Sequence, residues 1–191
     1  MFKVIYLTGA PASGKTTTVN RLLESGRSIE VWSYSERLKA YLAQRKERAS
    51  HVVMREQSSA LITPEDIAAV DKLLIDFVNE RRGKTNIIID SHPVTKERYG
   101  FRITSFSVDQ LHKLAPDEIW MTFASADETV RRIGADQQGR QSVDLGTAAM
   151  HTNLQATVAT AYGLLSSRPI YIFDSGIDAE VRAEKMISRL G

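Results

Sequence analysis

Apolar residues along the chain fall into short unbroken runs set between longer stretches of helical periodicity. The runs at 3–7, 29–32, 86–89, 118–123 and 169–173 are rich in β-branched and aromatic residues. They show no polar alternation, which predicts strands buried on both faces. The intervening pattern predicts helices over 16–23, 35–48, 64–82, 127–133, 143–165 and 178–190, with a short one opening near 108. Helix 35–48 is polar except for Leu38, Tyr41 and Leu42 on one face. Two helix starts are written out in the sequence. Thr63 can cap, Pro64 fits the first turn, and Glu65 and Asp66 suit the positive dipole end. Ser107-Val108-Asp109-Gln110 has the spacing of a capping box.

Strands that alternate with helices and are apolar on both faces predict an α/β fold. The expected architecture is a doubly wound parallel sheet of about five strands with helices on both faces. Ligands in such folds sit outside the carboxyl ends of the strands. Gly9, Asp90, Ala124 and Asp174 all fall there, although they are far apart in sequence.

Composition narrows the class further. A chain of 191 residues, 42% apolar, suits a single domain with ample material for a core. The formal net charge of +2 makes no basic stripe, so no specific nucleic-acid partner is indicated. The absence of cysteine excludes disulfides, thiolate catalysis and cysteine-ligated zinc. No run approaches the ~20 apolar residues of a membrane span. Residues 2–7 are too short for a signal peptide, so a cytoplasmic location and no membrane partner are expected.

The candidate chemistry begins at Gly9-Ala10-Pro11-Ala12-Ser13-Gly14-Lys15-Thr16, directly after the first predicted strand. Two glycines let the backbone curl so that its N–H groups face phosphate oxygens. Lys15 reaches the β and γ phosphates, and the Thr16 hydroxyl can bind Mg²⁺. Gly9 through Thr17 are therefore the expected ATP ligands: Gly9, Ala10, Pro11, Ala12, Ser13, Gly14, Lys15, Thr16 and Thr17. A triphosphate site also needs a carboxylate at the end of an adjacent strand to hold Mg²⁺. Asp90, closing Asn86-Ile87-Ile88-Ile89-Asp90, is placed for that.

What happens to the phosphate is read further along. No Asn-Lys-x-Asp motif of a GTPase is present. Arg131-Arg132-Ile133-Gly134-Ala135-Asp136-Gln137-Gln138-Gly139-Arg140 puts two arginines at a helix end, a flexible loop, and a third arginine beyond it. That is the make-up of a basic lid. A loose phosphoryl transition state spreads charge over its oxygens, so transfer needs cations and the exclusion of water.

With these elements in place the chain resembles the archaeal-type adenylate kinases, P-loop NTPases of the nucleotide-kinase type. The resemblance rests on the phosphate loop, Asp90-Ser91-His92 (Asp-Thr-His in the family) and Leu114-Ala115-Pro116-Asp117. It continues through the Ala124…Asp127-Glu128…Arg131-Arg132…Arg140 lid and the His151…Ala161-Tyr162 helix. It implies one kinase domain over 1–191, with an acceptor lobe at about 33–61 and a lid at about 131–143. It also implies reversible transfer from Mg-ATP to a nucleoside monophosphate, AMP first. Lys15, Arg131, Arg132 and Arg140 would be the catalytic cations, and Ser175, Gly176 and Ile177 would lie against adenine. The resemblance leaves room for a homo-oligomer.

Where the family shows Arg-Asp-x-x-Arg, this chain reads Arg55-Glu56-Gln57-Ser58-Ser59, and Ala156 replaces a further arginine. Arg37 and Arg55, with Arg98 and Arg102, are the cations left for the acceptor; Tyr34, Asp90 and His92 complete the expected acceptor site. His92 reads either as a ligand of the acceptor or as a turn histidine. Trp32 and Tyr34 read either as a base-stacking pair or as core, and Trp120 as core. His51 and His151 lack partners at metal-ligand spacing and read as structural. Two rival functions remain open. One is a kinase with a hydroxyl acceptor, for which Asp90, Glu36 or Glu56 would be the base. The other is an ATP-binding regulatory protein with little turnover.

Overall fold

The computed structural model describes residues 1–50, 62–135 and 142–191. His51, Arg55, Glu56, Ser59 and Arg140 lie outside the described residues, so the stretches expected to form an acceptor lobe and a lid are described only in part.

Five strands make the main sheet: β1 (Val4–Gly9), β2 (Ile29–Ser33), β3 (Asn86–Asp90), β6 (Glu118–Phe123) and β7 (Ile170–Asp174). They are all parallel, in the order β2-β3-β1-β6-β7. The expected doubly wound sheet is therefore borne out. The apolar runs show why it needs two covers. Along β1, Val4 and Tyr6 enter one core, while Ile5 and Leu7 enter the other. The three isoleucines of β3 divide the same way, Ile87 and Ile89 to the first core and Ile88 to the second. Burying each such side chain contributes about 1.5–3 kcal/mol.

Helices α3 (Pro64–Arg81), α4 (Val108–Leu114) and α6 (Leu145–Ser166) cover the first face. Helices α1 (Lys15–Glu24) and α7 (Ala179–Ile187) cover the second. Helix α2 (Tyr34–Ser50) follows β2 directly, and α5 (Ala126–Gly134) follows β6. Both written caps form. Thr63 accepts from the Asp66 amide at 3.3 Å while Asp66 accepts from the Thr63 amide at 3.0 Å. Ser107 and Gln110 do the same at 3.2 and 2.8 Å.

A hairpin of β4 (Val94–Glu97) and β5 (Gly100–Ile103) was not legible in the pattern. It stands apart from the main sheet and carries Thr95, Lys96, Glu97 and Arg102. Buried His151 holds it to α6, with Nε2 hydrogen-bonded to the Val94 carbonyl at 3.1 Å and Phe101 against its ring. Trp120 is wholly buried, and Trp32 packs in the core against Phe77. Among the described residues no helix is long and apolar enough to cross a membrane.

The amino-terminal edge of the sheet is tied by Glu118. Its carboxylate accepts from Lys3 at 2.8 Å, Arg189 at 2.9 Å and the Trp120 indole at 2.7 Å. Burial alone would raise this carboxyl. The bonds from Arg189, Lys3 and Trp120 outweigh burial and hold it below the ordinary 4.5. A group with a lowered native value stabilises fully above its unfolded value, and that stability is lost as pH falls through the lowered one. Glu118→Gln is expected to cost about 1–3 kcal/mol at neutral pH. Its melting temperature should then fall less than the native protein's as pH drops below 4.5. Thermal denaturation across pH checks both.

Candidate active site

The phosphate loop is shaped by close packing on β6. Gly9 sits opposite Thr122 in the parallel register. A Cβ at Gly9 would lie 2.6 Å from Thr122 Oγ1 and 2.7 Å from the Thr122 carbonyl. Only glycine lets β1 end here and the chain turn inward. Two residues then take left-handed backbone, Ala12 with φ 59° and Gly14 with φ 79°. The cost for a residue with a Cβ is about 1–2 kcal/mol, so Ala12 stores strain at the loop tip. Ser13 and Thr122 hydroxyls bond at 3.0 Å, and Gln155 of α6 donates to the Gly9 carbonyl at 3.3 Å and to Thr8 Oγ1 at 2.9 Å. Helix α1 opens at Lys15, so its positive end faces the space that the loop encloses.

Asp90 closes β3, beside Leu7 of β1. Chain connections leave β1 and β3 toward opposite faces, since α1 covers the second core and α4 the first. This is the switch point where doubly wound sheets hold ligands. Lys15 Nζ and Asp90 Oδ1 are paired across it. A cavity of about 1060 Å³ opens there. Residues 9–17 all line it, together with Asp90, His92, Arg132, Ser175, Ile177 and Glu36. Gly176 does not line it; its amide is held by Asp174 Oδ1 at 2.7 Å. His92 stands at the mouth. The surrounding protein and then the Lys15 ammonium lower its imidazole from the usual value, against the pull of Asp90.

The twin arginines are separated by helix rotation. Arg131 points outward, 68% exposed, and binds Glu128 with two bonds of 2.7 Å. Arg132 points to the loop. It donates to the Ala12 carbonyl at 3.0 Å and to Ser175 Oγ and carbonyl, both at 2.9 Å, while Nε holds Glu128 at 2.6 Å. It thereby staples the phosphate loop to the β7–α7 turn. Glu128, gripped by Arg131 and Arg132, has its carboxyl lowered to about 2.

A third arginine was missed by sequence reasoning. Arg182 of α7 is 4% exposed, lines the cavity, and donates to Thr18 Oγ1 at 3.3 Å and to the Ile177 carbonyl at 3.1 Å. Burial and then Arg132 lower its pKa. The signal was an arginine on the inward stripe of the closing helix, next to Ala183 and one turn before Met186.

A second cavity of about 640 Å³ adjoins the first, and both are lined by Ser35 and His92. None of residues 9–17 lines it. Tyr34 borders it and donates to Asp71 of α3 at 2.7 Å. Burial raises the Tyr34 phenol and also the Asp71 carboxyl. Arg102 of the hairpin reaches the rim, 3.4 Å from Glu97. Arg37 lies outside both cavities, 4.9 Å over the Trp32 ring. Ala156 packs against the first core.

A five-stranded parallel sheet with a phosphate loop at its switch point, faced by the Asp90 carboxylate, defines an α/β fold of the P-loop NTPase class. A family model described as an AAA domain matches residues 8–148, and the chain belongs to that family. Adenylate kinase of Methanothermobacter thermautotrophicus is 27% identical over 171 residues, covering 89% of this chain and 89% of that one. The tunicamycin resistance protein of Deinococcus radiodurans superimposes with a TM-score of 0.60 at 16% identity, over 99% of this chain and 95% of that one. Shikimate kinase from Acinetobacter baumannii does so with a TM-score of 0.53 at 12% identity, over 98% and 92%. The two solved structures share the fold. The family match and the adenylate kinase relative support an ATP-dependent kinase of a nucleotide or another small molecule.

Proposed function

We propose that the protein transfers the γ-phosphate of ATP to a nucleoside monophosphate, AMP first. The observation that carries this reading is the pair of cavities meeting at His92 and Ser35. The first has the phosphate loop for the donor; the second has room for a small acceptor beside it. Transfer is then a matter of positioning and charge. Lys15 and the loop amides hold the donor phosphates, and Arg132 keeps the loop closed on the β7–α7 turn. Arg131 and Arg140 belong to the lid in this reading. An acceptor phosphate is already anionic, so no general base is required.

Thr16 and Asp90 both line the donor cavity and suit Mg²⁺. Among the described residues no cluster of three or more His, Asp or Glu could hold a metal by itself. Mg²⁺ there would neutralise charge on the β and γ phosphates. With both bound, Lys15 would hold the γ-phosphate and Asp90 the ion in place of their mutual pairing.

A second reading rests on Glu36, which is exposed on the wall of the donor cavity. It offers a carboxylate base for a hydroxyl acceptor. ADP production, measured against a panel of nucleoside monophosphates and hydroxyl compounds, separates the two. AMP is expected to be used best, and EDTA should return the rate to background. Preference for a hydroxyl compound would replace the first reading with the second. No turnover with any acceptor would leave an ATP-binding protein.

A further inference from the structure

The second cavity holds a charge that phosphoryl transfer does not use. Asp71 lies midway along α3, 4% exposed, with its side chain on the cavity wall. One carboxylate oxygen accepts from the Tyr34 hydroxyl and the other from Gln110 Nε2, each at 2.7 Å. Gln110 cannot turn over, because its Oε1 already accepts from the Ser107 amide in the capping box. Both neighbours are thus committed as donors to Asp71. Each oxygen keeps a further lone pair. Among the described residues no cation pairs with Asp71. A carboxylate buried on these terms is costly, and a hydrogen-bond donor on a ligand would offset the cost.

Position says which part of the ligand that donor belongs to. His92 and Ser35 mark the end of the cavity shared with the donor site, while Asp71 and Gln110 belong to the wall of α3 and α4. This argument rests on the nucleoside monophosphate reading. An acceptor with its phosphate at the His92 end turns its base toward Asp71. A carboxylate there can only accept. It favours an amino group on the base and repels a carbonyl, which is another acceptor.

We infer that Asp71 reads the acceptor base, accepting a hydrogen bond from an exocyclic amino group and rejecting a base with a carbonyl at that position. AMP and inosine monophosphate differ at that position, amino against oxo, and at the adjacent ring nitrogen, which carries a hydrogen only in inosine monophosphate; the carbonyl still sets a second acceptor against Asp71. The native protein is expected to favour AMP over inosine monophosphate in kcat/KM by about a hundredfold. A purine nucleoside monophosphate bare at that position should fall between them. Asp71→Asn replaces one acceptor oxygen by a donor, and the AMP preference should drop at least about tenfold. KM for ATP should stay unchanged, which reports an intact fold and donor site. Equal use of the two nucleotides by the native protein would overturn the inference, as would an unchanged ratio in Asp71→Asn. Either result leaves the kinase reading standing. If the native protein uses no nucleoside monophosphate at all, the kinase reading and this inference fail together. Should Asp71→Asn not fold, the three-nucleotide series on the native protein still decides.

Discussion

Lys15→Ala is expected to lower ADP formation from ATP and AMP by on the order of 10³-fold. Two losses add. The first is the ammonium itself, which stands at the start of α1 on the cavity wall, where the proposed reaction would gather charge on the transferring phosphoryl. The second is its effect on Asp90. The two side chains are paired, and their exposures are only 14% and 17%. Without Lys15 a largely shielded carboxylate would face the incoming triphosphate without its paired cation. The rate constant should fall and KM for ATP should rise together. Lys15→Arg is not a conservative rescue, because a planar guanidinium is broader than an ammonium and the loop packs closely around Gly9 and Gly14. Steady-state rates over a range of ATP concentrations measure both effects. Turnover within tenfold of the native protein would remove Lys15 from the mechanism.

The parts of the molecule legible in sequence are those where one physical requirement acts on consecutive residues. A strand buried on both faces must be apolar throughout, so Ile87, Ile88 and Ile89 announce β3. A loop that wraps phosphate must place glycine and lysine at fixed spacing, so the stretch 9–16 announces itself. The hairpin β4–β5 escapes because it pairs outside the main sheet, and its strands alternate weakly among charged residues. Asp71 escapes for a different reason. It looks like one more acid on a mixed helix, yet Val70, Asp71, Leu74 and Val78 share the inward stripe of α3. A carboxylate on a core-facing stripe is the signal that was there to find. Arg131 and Arg132 show the limit of adjacency. Neighbours on a helix point about 100° apart, so a pair that reads as one lid divides into an outward arginine and one bound to the loop.

Gly9→Ala should abolish ATP binding while leaving most of the fold intact. The added methyl meets three neighbours that differ in how far they can yield. The Ser13 and Thr122 hydroxyls can rotate, at the cost of the bond between them. The Thr122 carbonyl, 2.7 Å from the new atom, belongs to the backbone of a central strand. It is fixed between β1 and β7 by the registers Gly9↔Thr122 and Thr122↔Phe173. The loop must therefore move away from the strand. Overpacking of this kind costs about 1–3 kcal/mol. The displaced segment is the same one whose amides would face the phosphates in the proposed reaction. Gly26→Ala is the control. Gly26 also has a positive φ, 72°, but nothing lies within 4 Å of an added Cβ. It should lose about 1 kcal/mol to backbone strain alone. Thermal melts with and without ATP separate the two. A ligand at a hundred times its Kd stabilises a protein by about 2.7 kcal/mol. The native protein and Gly26→Ala should show that rise, and Gly9→Ala should show none. An ATP-induced rise retained in Gly9→Ala would mean that the loop can shape a phosphate site without its close approach to β6.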